Sequence, residues 1–176
     1  SFATPTRTPT TTCADSYEVD NTYQQARVIG ANSSLAQQRN FHQFGDIDWV
    51  KFAVLPNIPY TIRTLDVHGG ADTMITLFGN DGGVLYQLAQ NDEDVNNPSV
   101  PVVGPSRIDY TFTTTETARF GTTFYLRINS PNPANFGCDK TYALRVTYPT
   151  SMLPGGLSVA SLASDLPQSA WTAGDG

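Results

Sequence analysis

The sequence predicts an all-β fold, a jelly-roll-like antiparallel β-sandwich of about eight strands with extended N- and C-terminal tails. Three observations carry this. Short runs rich in β-branched and aromatic residues recur along the chain, clusters of Gly, Pro, Asn and Asp separate them, and no stretch holds a convincing helical period. Parallel strands need long crossovers, usually helical, so a chain without them pairs its strands antiparallel.

Taken in order, residues 1–12 are Thr and Pro with almost nothing to bury, the composition of an extended tail or stalk. The sandwich is expected over 13–149. Its strands are Trp49 to Val54, Tyr60 with Ile62, Ile75 with Leu77, Val84 to Leu88, Ile108 with Tyr110 and Phe112, and Phe124 with Leu126 and Ile128. The clearest is Tyr142 to Tyr148, where Tyr142, Leu144, Val146 and Tyr148 alternate with Ala143, Arg145 and Thr147. Pro56-Asn57-Ile58-Pro59 cannot continue a central strand, and Asn80-Asp81-Gly82-Gly83 supplies the positive φ of a hairpin turn. Residues 150–176 change character. Leu153-Pro154-Gly155-Gly156 forms a hinge, after which Leu157, Val159, Leu162 and Trp171 lie in a segment of little charge, too apolar for a passive linker.

With 176 residues the chain is long enough for one full hydrophobic core. Lys and Arg number 10 against 16 Asp and Glu, a formal charge of −6, the wrong sign for a nucleic-acid backbone. No apolar run approaches the roughly 20 residues of a membrane span. The chain carries two cysteines, Cys13 and Cys138, which flank the expected sandwich. Redox or zinc pairs are normally closer in sequence, so a disulfide closing the domain is expected, and with it an extracellular location, secreted or at the cell surface. By loop entropy such a closure contributes about 4–5 kcal/mol.

The chemistry centres on Gly45 to Phe52, read Gly-Asp-Ile-Asp-Trp-Val-Lys-Phe. In an extended segment Asp46 and Asp48 share a face with Val50, Phe52 and Val54, which sets two carboxylates at the rim of an apolar core. Such a pair is tolerated when a cation, an Arg or backbone N–H groups share the site. A second acidic segment brings Asp15, Glu18, Asp20 and Asn21 together, and Glu18, Asp20, Asn21, Asp46 and Asp48 supply several of the six to eight oxygens that calcium takes. The ion-free alternative makes Asp46 an Asx turn and Glu18 to Asn21 a solvated loop. Asp72, Asn91, Asp92 and Asp94 form a weaker candidate for a second metal site.

Several motifs together resemble the bacterial pre-peptidase C-terminal family, which is similar to the collagen-binding domains of clostridial collagenases. They are Asp15-Ser-Tyr17-Glu18-Val-Asp20-Asn21-Thr22 with Ala26, Phe41-His42, Gly45-Asp46-Ile-Asp48-Trp49-Val50-Lys51-Phe52 and Tyr60-Thr-Ile62. Further along come Ala71-Asp72-Thr73 with Ile75-Thr-Leu77, Asn91-Asp92, Ser106-Arg107-Ile108, Phe124-Tyr125-Leu126-Arg127-Ile128 and Tyr142-Ala-Leu144. The resemblance implies a sandwich without catalytic activity, with calcium where the N-terminal acids meet the Asp-x-Asp turn. Val19 stands where the family often has Pro, and the apolar C-terminal segment is outside its pattern.

His42 and His68 are the only histidines, and neither a nucleophile elbow, a zinc-protease helix nor a phosphate loop occurs, so an enzyme is not expected; His42 reads as a strand residue. Two distant histidines without cysteine partners also argue against zinc. Trp49, Tyr86, Tyr110, Tyr125 and Tyr148 are candidates for a polysaccharide- or protein-binding platform, though core or cross-strand packing is the better reading of most of them. Asn32-Ser33-Ser34 is a formal glycosylation sequon. The expectation is a calcium-stabilised structural or adhesive module, a homo-oligomer or filament through tail docking. The alternative is a substrate-targeting module of a secreted peptidase or other hydrolase.

Overall fold

A computed structural model of the chain describes residues 13–94 and 104–152. The 1–12 segment and the assembly residues Leu157, Val159, Leu162 and Trp171 lie outside the described residues. Nine strands form: β1 (Arg27–Val28), β2 (Gln37–Asn40), β3 (Ile47–Ala53), β4 (Pro59–Leu65), β5 (Met74–Asp81), β6 (Val84–Asn91), β7 (Arg107–Thr111), β8 (Thr123–Asn129) and β9 (Thr141–Thr147). One sheet has the order β1-β3-β8-β5-β6 and the other β2-β9-β4-β7. Every pairing is antiparallel except the two-residue contact of β1 with β3.

The sandwich is built by alternation. Phe124, Leu126 and Ile128 of β8 and Tyr142, Leu144 and Val146 of β9 are fully buried and meet Val50 and Phe52 of β3 and Tyr60 and Ile62 of β4 in one core shared by both sheets. Phe112 is its aromatic hub, 4.3 Å from Phe124 and 5.5 Å from Tyr60 between ring centroids. The outer face of the five-stranded sheet carries a second cluster, where Trp49 packs on Phe78 and the 3-10 turn at Tyr23–Gln25 lays Tyr23 against Trp49 and Tyr125.

Two elements depart from expectation. A helix does occur, α1 (Thr114–Phe120), seated by a capping box between Thr113 and Glu116. Seven residues are too few for a helical period to stand out. Strands β1 and β2 were also not anticipated, because β2 reads Gln-Gln-Arg-Asn and lacks the apolar alternation that marks a strand. The expected turns are present: Gly82 and Gly83 take positive φ between β5 and β6, and Asn57 does so before β4.

Cys13 and Cys138 are joined in a disulfide with Cα atoms 5.4 Å apart, linking residues 125 apart in sequence. The chain enters the sandwich at this end and leaves β9 at the other, where Thr147 pairs with Thr61 and Asn32 clasps Tyr148. That clasp uses both ends of the Asn32 amide, 2.9 Å to Tyr148 O and 2.9 Å from Tyr148 N, so the sequon asparagine is committed to holding the final strand.

Candidate functional site

The entry end of the sandwich gathers acids from three places: the segment after Cys13, the turn between β2 and β3, and the start of β3. Positive φ at Gly45 lets the turn close, with Gly45 N donating to Pro133 O at 3.0 Å, and delivers Asp46 and Asp48 to one face. Asp46 Oδ2 accepts from His42 N at 2.8 Å and its Oδ1 from Ile47 N at 3.2 Å, an Asx-type arrangement that aims the carboxylate. Asp15 is likewise aimed by Tyr17 N at 2.7 Å and Asn40 N at 3.1 Å. Arg27 donates to the carbonyls of Tyr17 and Glu18 and holds the loop that carries Glu18.

Two overlapping groups of potential ligands result. Glu18, His42 and Asp46 place one donor atom each within 4.8 Å of one another, and so do Asp15, Glu18 and Asp48. Glu18 belongs to both. His42 Nδ1 lies 2.7 Å from Asp46 Oδ2 and 3.2 Å from Glu18 Oε1, yet Nδ1 and Oε1 are both buried without an aligned hydrogen bond. Asp48 Oδ1 and Asp20 Oδ1 are buried and equally without a hydrogen-bond partner. Buried polar atoms are nearly always paired, so these orphaned oxygens are exceptions that a bound cation would satisfy.

One side of that charge is supplied by the protein. Arg39, on β2, is fully buried and reaches Asp20 Oδ2 at 2.6 Å and Asp48 Oδ1 at 3.6 Å, with Gln37 Oε1 taking two further donors and the Tyr17 ring lying 4.5 Å from its guanidinium carbon. Tyr142 donates its hydroxyl to Asp48 Oδ2. Even so, burial raises the pKa of Asp48 well above the usual carboxylate range, more than Arg39 and Tyr142 lower it. Burial also raises Glu18, with Asp46 and Asp20 adding to the rise, and burial raises Asp20 against the pull of Arg39. The carboxylates outnumber the guanidiniums, and the remaining deficit is centred on Glu18.

Of the residues expected to bind metal, Glu18 meets Asp46 in one group and Asp48 in the other. Asp20 faces Arg39, and Asn21 is half-buried. Asp15 and His42 join them. His42 is in the loop after β2, not in a strand, and its position four residues before Asp46 was the available sign. The three carboxylates of the Asp15, Glu18 and Asp48 group are ligands of the kind a hard cation such as calcium takes. The second candidate region is organised differently. Asp72 Oδ1 accepts from Gly104 N at 3.1 Å, and Asn91 Nδ2 donates to Glu93 O and Arg107 O. Among the described residues, the carboxylates of Asp72, Asp92 and Asp94 do not converge as a group of three ligand atoms.

The aromatic candidates do not share a surface. Trp49 and Tyr125 pack in the outer cluster, Tyr148 on Tyr60 and Tyr110 on Phe112, while Tyr86 lies on edge strand β6 under Arg119.

No family model matches the chain, and no curated protein matches it. Among solved structures, the chain is similar to the 1.0 Å crystal structure of the pre-peptidase C-terminal domain of collagenase from Bacillus anthracis, with 15% sequence identity and a TM-score of 0.44 over 69% of this chain and 93% of that one.

Proposed function

We propose that the chain is a non-catalytic extracellular module, a β-sandwich stabilised by a calcium ion held among Asp15, Glu18, Asp46 and Asp48, and that copies of it associate head to tail. The observation that carries the calcium reading is the set of buried, partnerless oxygens of Glu18 and Asp48 beside the aimed carboxylates of Asp15 and Asp46. Ion binding would satisfy them and neutralise the repulsion that lifts their proton affinity. The disulfide supports an oxidising compartment, and among the described residues no helix is long and apolar enough to cross a membrane. Head-to-tail association is supported by the exits of the two termini at opposite ends of the sandwich and by the apolar composition of residues 153–176.

Thermal unfolding in calcium and in chelator tests the metal. A ligand at a hundredfold excess over its Kd adds about 2.7 kcal/mol, which for a domain of this size raises the midpoint by about 5–10 °C. Glu18→Gln combined with Asp48→Asn should abolish the rise. Identical midpoints in calcium and chelator overturn the calcium reading. Because His42 Nδ1 gives one ligand group a nitrogen donor, zinc and manganese belong in the same titration, and a response to them in place of calcium would reassign the ion.

A further inference from the structure

The outer face of the four-stranded sheet concentrates the opposite charge from the entry end. In the register of its ladders, Arg63 on β4 stands directly opposite both Arg145 on β9 and Arg107 on β7. Alternation turns all three away from the core, since Ile62, Thr64, Leu144, Val146 and Ile108 beside them are buried. Three of the ten basic residues of an acidic chain thus stand in one line, about 5 Å apart from strand to strand. Like charges directly opposite one another destabilise a sheet, so the line calls for anions.

Arg107 is supplied with one by its own strand: Asp109 accepts from Nε at 2.9 Å and from Nη2 at 3.0 Å. Among the described residues, neither Arg63 nor Arg145 has a carboxylate within salt-bridge distance, and Arg145 Nε is buried without an acceptor. The surroundings of these two are mild. One step along the strands Thr61 lies opposite Thr147 and Asp109, and one step the other way Leu65 lies opposite the small Ala143. Beside Arg63 is a cavity of about 270 Å³ walled by Leu65, Asp66, Val67, Asp94 and Pro105, near the lower end of ligand cavities and roomy enough for one sugar ring.

We propose that this face binds a polysaccharide through an acidic sugar, whose carboxylate is taken by Arg63 and Arg145 while the cavity beside Arg63 receives a ring. The proposal depends on neither the ion nor the association put forward above. Planar guanidinium forks match a planar carboxylate. Asp66, Asp109 and the net charge of −6 repel a densely charged polymer, nucleic acid included, yet those carboxylates accept hydrogen bonds from hydroxyl groups. Complementarity therefore selects an isolated acid set among hydroxyls, which is the chemistry of a polysaccharide carrying occasional uronate residues. An acidic peptide is matched less well. Strands β4 and β9 are inner strands whose backbone groups are spent in ladders on both sides, so a peptide finds no edge to extend between Arg63 and Arg145.

The test titrates the full chain by calorimetry with short oligosaccharides bearing a single glucuronate or a single galacturonate, with the same sugars after methyl esterification, and with a capped peptide holding one Glu among serines. Arg63→Gln/Arg145→Gln is compared throughout, its thermal midpoint reporting the fold. An acidic oligosaccharide is expected to bind, more weakly as salt is raised. Esterification and the double replacement should each weaken binding at least about tenfold, because each removes charge-assisted hydrogen bonds. The esterified sugar puts the same question to the unaltered chain, so the answer stands even if the double replacement unfolds. No binding of either acidic oligosaccharide at millimolar concentration overturns the proposal, and so does equal binding after esterification or by a folded Arg63→Gln/Arg145→Gln chain. A peptide that binds as tightly as the sugars would show a site for anions in general and overturn the choice of polysaccharide.

Discussion

The two ends of this sandwich are made by opposite strategies. At the far end, helix α1 closes the sandwich with its donors accounted for: Thr113 Oγ1 accepts from Glu116 N, Glu116 Oε2 accepts from Thr113 N, and Tyr110 donates to Glu116 Oε1. Phe120 packs above Gly79, where an added Cβ would meet the ring at 2.6 Å, so the glycine makes room for the helix. At the entry end, Glu18, Asp20, Asn40, His42, Asp48, Asn129 and Asn135 each leave a buried side-chain atom without a hydrogen bond. The remaining atoms of this kind, Arg127 Nε and Arg145 Nε, lie along strands rather than at the far end. A chain able to satisfy one end completely did not fail at the other. Under the calcium proposal the uncompensated acids are where an ion would bind, and the contrast between ends would then separate stability made by the fold from stability lent by that ion.

The largest break in that contrast should come from Arg39. Replacing it by Met leaves Asp20 and Asp48 buried without their cation, and removing one partner of a buried pair costs about 3–5 kcal/mol. Urea unfolding of Arg39→Met should show that loss, and a change below about 1 kcal/mol would show that the acids are not held by this residue. Tyr142→Phe keeps the core filled but removes the donor to Asp48 Oδ2, a hydrogen bond to a charged group worth about 1.5–3 kcal/mol. Its effect should be larger in chelator than in calcium.

The pH dependence sharpens the same point. Glu18, Asp20 and Asp48 have folded-state pKa values raised above their ordinary ones. Between the ordinary and the raised values the folded chain binds more protons than the unfolded chain, so stability falls as pH rises through that window. In chelator the midpoint should therefore increase as the solution is acidified from neutral toward pH 5, and calcium should flatten or reverse the trend. A chelated protein that loses stability over that range would contradict the desolvation of these carboxylates. Smallest is the control at the far end. Thr113→Ala removes the helix cap for about 1 kcal/mol, by the same amount with and without calcium. A calcium-dependent difference there would mean that the ends are not independent.

What the sequence disclosed follows from where its patterns are local. Strands β8 and β9 were legible because each buries one face on apolar residues and wets the other, and the shared face of Asp46 and Asp48 followed from the same two-residue period. Strand β2 was not legible: its inward residues are Gln37 and Arg39, chosen to meet carboxylates that arrive from Asp20 and Asp48, distant in sequence. No local rule places a polar strand in a core before its partners are known. Helix α1 is short and rich in Thr, so only the Thr-x-x-Glu cap at Thr113 announced it. Asp15 lay in the acidic segment already noticed, but its role depends on Asn40 orienting it, and His42 looked like a strand residue because the turn ending in Asp46 could not be folded on paper.

The cross-link has a mechanical consequence. Tension applied between Cys13 and Met152 does not run through the sandwich in chain order: it passes at Cys13 directly to Cys138 and leaves through β9 alone. Strand β9 lies between β2 and β4 in its sheet and carries the load along its own backbone, so while the disulfide is intact the ladders on either side are not in series with the force. The residues between the two cysteines are shielded from the load and add nothing to the extension even when β9 is pulled free. A string of such modules would lengthen little while oxidised, and by nearly the whole domain per module once reduced.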